Sequence, residues 1–207
     1  MKIFELRQPK IIKPIFTATS EYFKNKSLDA DGKILSLKLS KLGWTYNNKG
    51  CFSSVYTNPN KRFVLKINNR PDRGYARYIE ILKDNPNIHF PNIGDMKVVE
   101  FGGFNYYVYL IEKLKNLPLT INYEGVKIDT DILTDCLQRI ATGWSRDYKW
   151  FTRYFDDKTM FYLEEQPELV KAAQIIGKNQ EDRFLDMHSG NFMIRNDGTI
   201  VITDPYS

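Results

Sequence analysis

Cysteine and histidine are scarce in this 207-residue chain, which holds only Cys51, Cys136, His89 and His188. Two thiols make no disulfide framework and fit a reducing cytoplasm. Four such widely scattered groups also miss the ligand spacing of a zinc site. Long apolar runs are missing too. None approaches the ~20 residues needed to cross a bilayer, and residues 1–13 lack the apolar stretch of a signal peptide. There is no internal repeat and no low-complexity segment, so collagen, coiled coil and overall disorder are excluded. What remains is a chain of 24.3 kDa with 42% hydrophobic and 27% charged residues. A chain of that size buries about 70% of its unfolded surface, enough for one domain or two small lobes.

Charge is unevenly spread. Residues 1–74 carry 15 Lys/Arg and 5 Asp/Glu, whereas residues 75–207 carry 15 and 20. The basic front half suits phosphorylated or acidic ligands. No Arg-rich run or RNA-binding motif accompanies it, so nucleic acid is not expected as a direct ligand.

Residues 1–19 include Pro9 and Pro14 and read as an irregular arm; Ser20 to Leu42 reads as helix in two pieces broken near Asp31-Gly32. From Trp44 the period shortens. Trp44 to Tyr46, Phe52 to Tyr56 and Arg62 to Ile67 are expected as strands, and Asp72 to Lys83 as a helix. Lys97 to Phe101 and Asn105 to Ile111 should form a hairpin around Gly102-Gly103. After Pro118 the pattern turns helical, with an apolar face from Ile132 to Trp144 and a helix from Pro167 that stops at Gly177. Asn196-Asp-Gly198 marks a closing hairpin.

The chemistry gathers in this tail. Asp186 and Asn191 stand five apart, and Asp204 lies thirteen further on, across the hairpin. That is the spacing of a kinase catalytic loop and its metal-binding aspartate. Phosphoryl transfer needs one carboxylate near the attacking hydroxyl, and an amide and second carboxylate to hold Mg²⁺ against the phosphates. Gly190 lets the backbone turn tightly beside Asn191. Upstream, Gly50-Cys-Phe-Ser53-Ser54-Val55 precedes Val64-Leu-Lys66-Ile. A strand, a turn and a second strand bearing a lysine among apolar residues suits a nucleotide-gripping hairpin. One glycine of three remains there, so phosphate would rest on backbone N–H groups with the Ser53 and Ser54 hydroxyls. Glu80, fourteen residues past Lys66 and mid-helix, is the expected partner of that lysine.

Asp-Met-His-Ser-Gly-Asn at 186–191 and Ile-Thr-Asp-Pro at 202–205 closely resemble the early serine/threonine protein kinases of T-seven-like bacteriophages. Gly50-Cys-Phe-Ser-Ser, Val64-Leu-Lys-Ile and Phe90-Pro-Asn-Ile are similar to that family's segments in the same order. The Asp-x-His-x-Gly-Asn loop also resembles those of aminoglycoside and fructosamine kinases. The resemblance implies an α+β, two-lobed protein-kinase-like fold with ATP between the lobes and a reduced C-terminal lobe. Residues 1–43 would form an N-terminal arm and helices, 44–114 the ATP-gripping lobe, and 115–207 the helical lobe with the catalytic loop. It further implies Asp186 as catalytic base, Asn191 and Asp204 as Mg²⁺ ligands and Lys66 as the ATP grip. His188 stands where protein kinases place a phosphate-contacting lysine. The Glu112-Lys-Leu114 stretch would be the hinge that meets adenine. The substrates implied are host proteins, the transcription machinery included, in the bacterial cytoplasm.

The chain also departs from that pattern. Phe184-Leu185 replace a His-Arg pair, Pro-Tyr follows Asp204, and the sequence ends three residues later. Protein substrates are therefore expected to meet other surfaces, or the sequence is part of a longer chain. A small-molecule or toxin-type kinase, and a kinase-fold binding protein that inhibits a host partner, are the competing readings.

Overall fold

The computed structural model describes residues 9–24, 33–49, 53–68, 72–101, 103–143, 155–181 and 183–206. The chain separates into two compact units. The first comprises residues 1–73 and 92–113, the second 74–91 and 114–207.

The first unit is a five-stranded antiparallel sheet with helices α1 (Pro9–Lys24) and α2 (Lys33–Lys41). Its strands are β1 (Thr45–Lys49), β2 (Ser53–Thr57), β3 (Phe63–Asn68), β4 (Ile93–Phe101) and β5 (Phe104–Glu112), in the order β1-β2-β3-β5-β4. α1 corrects the expectation of an irregular arm over residues 9–19. Pro9 occupies the first helical position, where no N–H is required. Pro14 leaves only the carbonyl four residues back without its helix partner. Ile15, Ala18, Thr19 and Phe23 form one buried face whose period outweighs that loss. α1 packs on α2 and β4, and α2 packs on β1. Together they cover the sheet face formed by Tyr56, Phe63, Leu65, Ile67, Tyr106, Val108 and Leu110, with Leu35, Leu39 and Trp44 in the same core.

The second unit begins at Gly74, one residue into α3 (Arg73–Asp84), which buries Tyr75, Tyr78, Ile79, Ile81 and Leu82. The expected lobe boundaries group this helix with residues 44–114, whereas its contacts group Gly74–Pro91 with the later chain. β6 (Lys115–Asn116), β9 (Phe192–Ile194) and β10 (Ile200–Ile202) form an antiparallel sheet in the order β10-β9-β6. Between them come the hairpin β7 (Thr120–Tyr123) and β8 (Val126–Asp129), then α4 (Thr130–Ala141), α5 (Asp157–Glu165) and α6 (Pro167–Lys178). The hairpin corrects the expectation of a purely helical pattern after Pro118. Its turn carries Glu124 and Gly125 at φ 50° and 81°, and an apolar residue alternates with a polar one on either side.

Asp129 caps α4 by accepting from the N–H groups of Asp131 (2.9 Å) and Ile132 (3.2 Å), and Asp156 caps α5 from Thr159 (2.7 Å). Leu133, Cys136, Leu137, Ile140 and Ala141 line the expected apolar face of α4; Trp144, Tyr148, Trp150 and Phe151 lie outside the described residues. Gly177 does not stop α6, which continues to Lys178. Its role is proximity: a Cβ there would stand 1.7 Å from the Ala141 carbonyl oxygen, so only glycine lets α6 lie against α4. Among the described residues, no helix is long and apolar enough to cross a membrane.

Candidate active site

The loop before β9 and the segment after β10 are stitched together by backbone bonds. The Asp186 N–H donates to the Pro205 carbonyl at 2.8 Å. The Thr203 N–H and Oγ1 both donate to the Asn191 carbonyl, at 2.8 and 2.9 Å. Leu185 and Tyr206 form an isolated antiparallel bridge. Asp204 therefore sits between one residue bonded to Asn191 and another bonded to Asp186. The β9–β10 hairpin, paired from Phe192–Ile202 to Ile194–Ile200, closes the intervening chain.

Within the loop, residues 189–191 form one turn of 3₁₀-helix. The Asn191 Nδ2 donates to the Asp186 carbonyl at 2.6 Å, which commits the amide nitrogen and leaves Oδ1 as the amide's acceptor. His188 Nδ1 accepts from the Gly190 N–H at 3.0 Å, and its Nε2 lies 3.6 Å from Asp186 Oδ1. A Cβ on Gly190 would meet the His188 ring at 2.7 Å from Cε1. The tight turn expected at Gly190 is present, and the missing side chain there also leaves room for the imidazole that lies over it. Asp186 is half-exposed, and Asn191 and Asp204 are partly buried.

Aromatic residues support the Asp204 segment. The Tyr78 hydroxyl donates to the Ile202 carbonyl, and its ring meets those of Phe90 and Tyr206. Burial, with the Asp204 charge second, pushes the Tyr78 hydroxyl pKa well above its ordinary value, so it stays a donor. The Tyr206 hydroxyl donates to the Ile176 carbonyl at 2.7 Å, and burial pushes its pKa up to about 12. His89 Nδ1 lies 2.8 Å from the Ile200 carbonyl, while the His89 carbonyl accepts from the Ile202 N–H at 2.9 Å. Arg195 grips the turn before Pro91 through the Ile88 and Phe90 carbonyls. Sequence reasoning missed Tyr78, Thr203 and Tyr206 as supports. The one available signal was the aromatic residue two places after Asp204, which reads as a departure from Phe-Gly.

In the first unit, Lys66 pairs with Val55 on β2 and Tyr109 on β5. By strand alternation it lies on the sheet face opposite the helix-covered core, and it is buried. Ser53 shares that face, whereas Ser54, paired with Ile67, takes the core face. Gly50 and Cys51 lie outside the described residues. Glu112 accepts from the Asn92 N–H and Nδ2, each at 3.0 Å. Its own N–H goes to the Asn92 carbonyl, and that of Lys113 to the Arg62 carbonyl, each at 2.9 Å. The boundary between the units falls between Lys113 and Leu114.

Glu80, in the second unit, bonds Arg77 at 3.2 Å on its own helix. Arg77 also meets Glu181 at 3.0 Å, and Arg183 meets Glu181 at 2.8 Å. The Arg183 hydrogen bond, then the Arg77 charge, hold the Glu181 carboxyl below its usual range. Lys66 belongs to the first unit and Glu80 to the second, where Glu80 meets the Arg77 guanidinium.

Among the described residues, no group of three or more His, Cys, Asp or Glu could hold a metal ion. Mg²⁺ held against a phosphate needs fewer, since one or two carboxylates and the phosphate oxygens complete its shell. The oxygen donors of Asn191 and Asp204 match that hard-cation chemistry. No protein-family model matches this chain, and no curated protein gives a significant match to it.

Proposed function

We propose that this protein is an ATP-dependent phosphotransferase with a two-lobed, kinase-like architecture, acting on serine and threonine hydroxyls of proteins. One observation carries the reading: Asp204 stands between Thr203, bonded to Asn191, and Pro205, bonded to Asp186. Three residues whose spacing suits phosphoryl transfer are thereby gathered at one end of a hairpin. Asp186 would orient the attacking hydroxyl and accept its proton. The hydroxyl oxygen bonds to the γ-phosphorus as the bond from that phosphorus to the bridging oxygen of ADP breaks. Asn191 Oδ1 and the Asp204 carboxylate would hold Mg²⁺, which when bound neutralises β/γ-phosphate charge. Lys66 would grip the α/β-phosphates, with Ser53 on the same sheet face. By the family resemblance, the acceptors are host proteins in a bacterial cytoplasm, with the transcription machinery among them.

A small-molecule kinase is the second reading, favoured by the His188 ring seated inside an Asp-x-His-x-Gly-Asn loop. Incubation with Mg²⁺ and γ-labelled ATP, alone and with bacterial lysate, separates the two. Labelled protein bands that vanish in Asp186→Ala and Asp204→Ala are expected. Label confined to small molecules would move the assignment to the second reading. No transfer at all, with a biological effect that survives both substitutions, would leave a binding scaffold and sink the enzyme.

A further inference from the structure

We infer that His188 is a positioning residue for the Asp186 carboxylate, a role separate from contact with phosphate. This deepens the phosphotransferase reading and rests on it. The Gly190 N–H donates to Nδ1, so Nδ1 carries no proton and a neutral ring must carry it on Nε2. The other tautomer would set two donors against each other at Nδ1, giving up the 3.0 Å bond for a longer 3.2 Å one from the second Asn191 N–H to Nε2. Two groups lie near Nε2. Asn191 Nδ2, at 3.2 Å, is itself a donor, with one of its two N–H groups given to the Asp186 carbonyl, so it cannot receive the proton. Asp186 Oδ1, at 3.6 Å, is an acceptor.

The Nε2–H is therefore left to the carboxylate. A separation of 3.6 Å exceeds a hydrogen bond, but catalytic contacts of this kind commonly run long until the reacting groups engage. With Oδ1 held by His188, Oδ2 is the oxygen that meets the substrate hydroxyl. The ring occupies the space beside Gly190 that a Cβ would need, 2.7 Å from Cε1, so its position depends on the missing side chain there.

Three substitutions separate the possible roles, with transfer kinetics measured on the full chain and folding checked by thermal melting. His188→Asn places an amide oxygen where Nδ1 accepts, but offers nothing to the carboxylate. Its kcat should fall about tenfold or more, since a misplaced base is costly. Its KM for ATP should stay within about twofold, as expected when ground-state binding is untouched. His188→Gln offers an amide N–H near the Nε2 position and should recover much of the kcat lost in His188→Asn. His188→Lys, which suits a phosphate, should not. Gly190→Ala, which displaces the ring, should reproduce the kcat loss with His188 intact.

Rescue by Lys with a changed KM for ATP would overturn the inference in favour of phosphate contact. Full activity in Asn with loss in Gln would reduce His188 to a turn cap. Wild-type kinetics in all variants would refute the inference and leave the phosphotransferase standing. A wild-type chain that transfers no phosphoryl group would overturn both, and is distinguished by failing before any substitution is made.

Discussion

In the second unit, Asp186, Asn191 and Asp204 are held by bonds between near neighbours of one loop and one hairpin. In the first unit, Lys66 is placed by strand register, between Val55 of β2 and Tyr109 of β5, on a sheet whose other face is the core. The two arrangements differ in what they depend on. A loop closed on itself keeps its geometry as long as a few hydrogen bonds survive. A residue placed by register moves whenever the packing that aligns its strands moves, because a one-residue slip turns its side chain to the other face. The chemistry proposed for the loop demands fixed positions for a proton acceptor and a cation. The role proposed for the lysine demands only charge near phosphate.

That division predicts unequal kinetic losses. Asp186→Asn should lower kcat by about 10² to 10⁴, the span usual for removal of a general base, and leave the KM for ATP nearly unchanged. Lys66→Met should cost about 10² in kcat/KM for ATP, with a share of it in KM. Steady-state transfer with varied ATP reads both. The comparison breaks if Lys66→Met is silent, or if Asp186→Asn acts through KM.

Stability offers the next contrast. Leu39 is fully buried in the first unit's core, and truncation to Ala should cost about 2–5 kcal/mol. Gly177→Ala drives a methyl against the Ala141 carbonyl in the second unit, a backbone clash that no rotamer relieves, and should cost about 3 kcal/mol. Calorimetry of both variants tests whether the units are energetically separate. Each substitution should lower a different transition. If both depress one common transition, the units unfold as a single cooperative body and the contrast drawn between them fails.

How much of this was legible in the sequence follows the same line. The Asp186–Asn191–Asp204 set could be read because its spacing is local and Asn196-Asp-Gly198 announces the hairpin that closes it. The strands around Lys66 were legible from their β-branched and aromatic residues, as was α4 from its apolar period. The pairing of Lys66 with Tyr109 was not, since nothing within residues 63–68 names a partner some forty residues away. α1 was hidden by its prolines, and the β7–β8 hairpin by its Glu-Gly turn, a weaker signal than Asn-Gly. Gly177 was misread for a physical reason: a glycine after an apolar run looks like a helix stop, while its true requirement comes from another helix. Gly190 sits in the tight turn read from the sequence, but its contact with the His188 ring is one that spacing alone does not disclose.

The smallest expected effect concerns pH, and it too divides the units, because both histidines of the chain lie in the second. His89 is buried beneath β10; burial lowers its pKa below 6.5, partly offset by the bond to the Ile200 carbonyl. Protons then bind the unfolded chain more readily than the folded one. Stability should be level above about pH 6.5 and fall as pH drops from there toward the folded-state value, with a slope of at most about 1.4 kcal/mol per pH unit for one proton. Glu181 and Asp197 have lowered carboxyl pKa values, so they act later. Their contribution holds above the ordinary carboxylate range and is lost as pH falls through their folded-state values. Both are exposed, and solvent screening keeps that second loss small. Melting at pH 5.5 and 7.5 should therefore shift the second unit's transition and leave the first unit's in place. In His89→Gln the shift between those two values should shrink, while the fall at lower pH persists. An unchanged slope in that variant would assign the acid sensitivity to groups other than the buried imidazole.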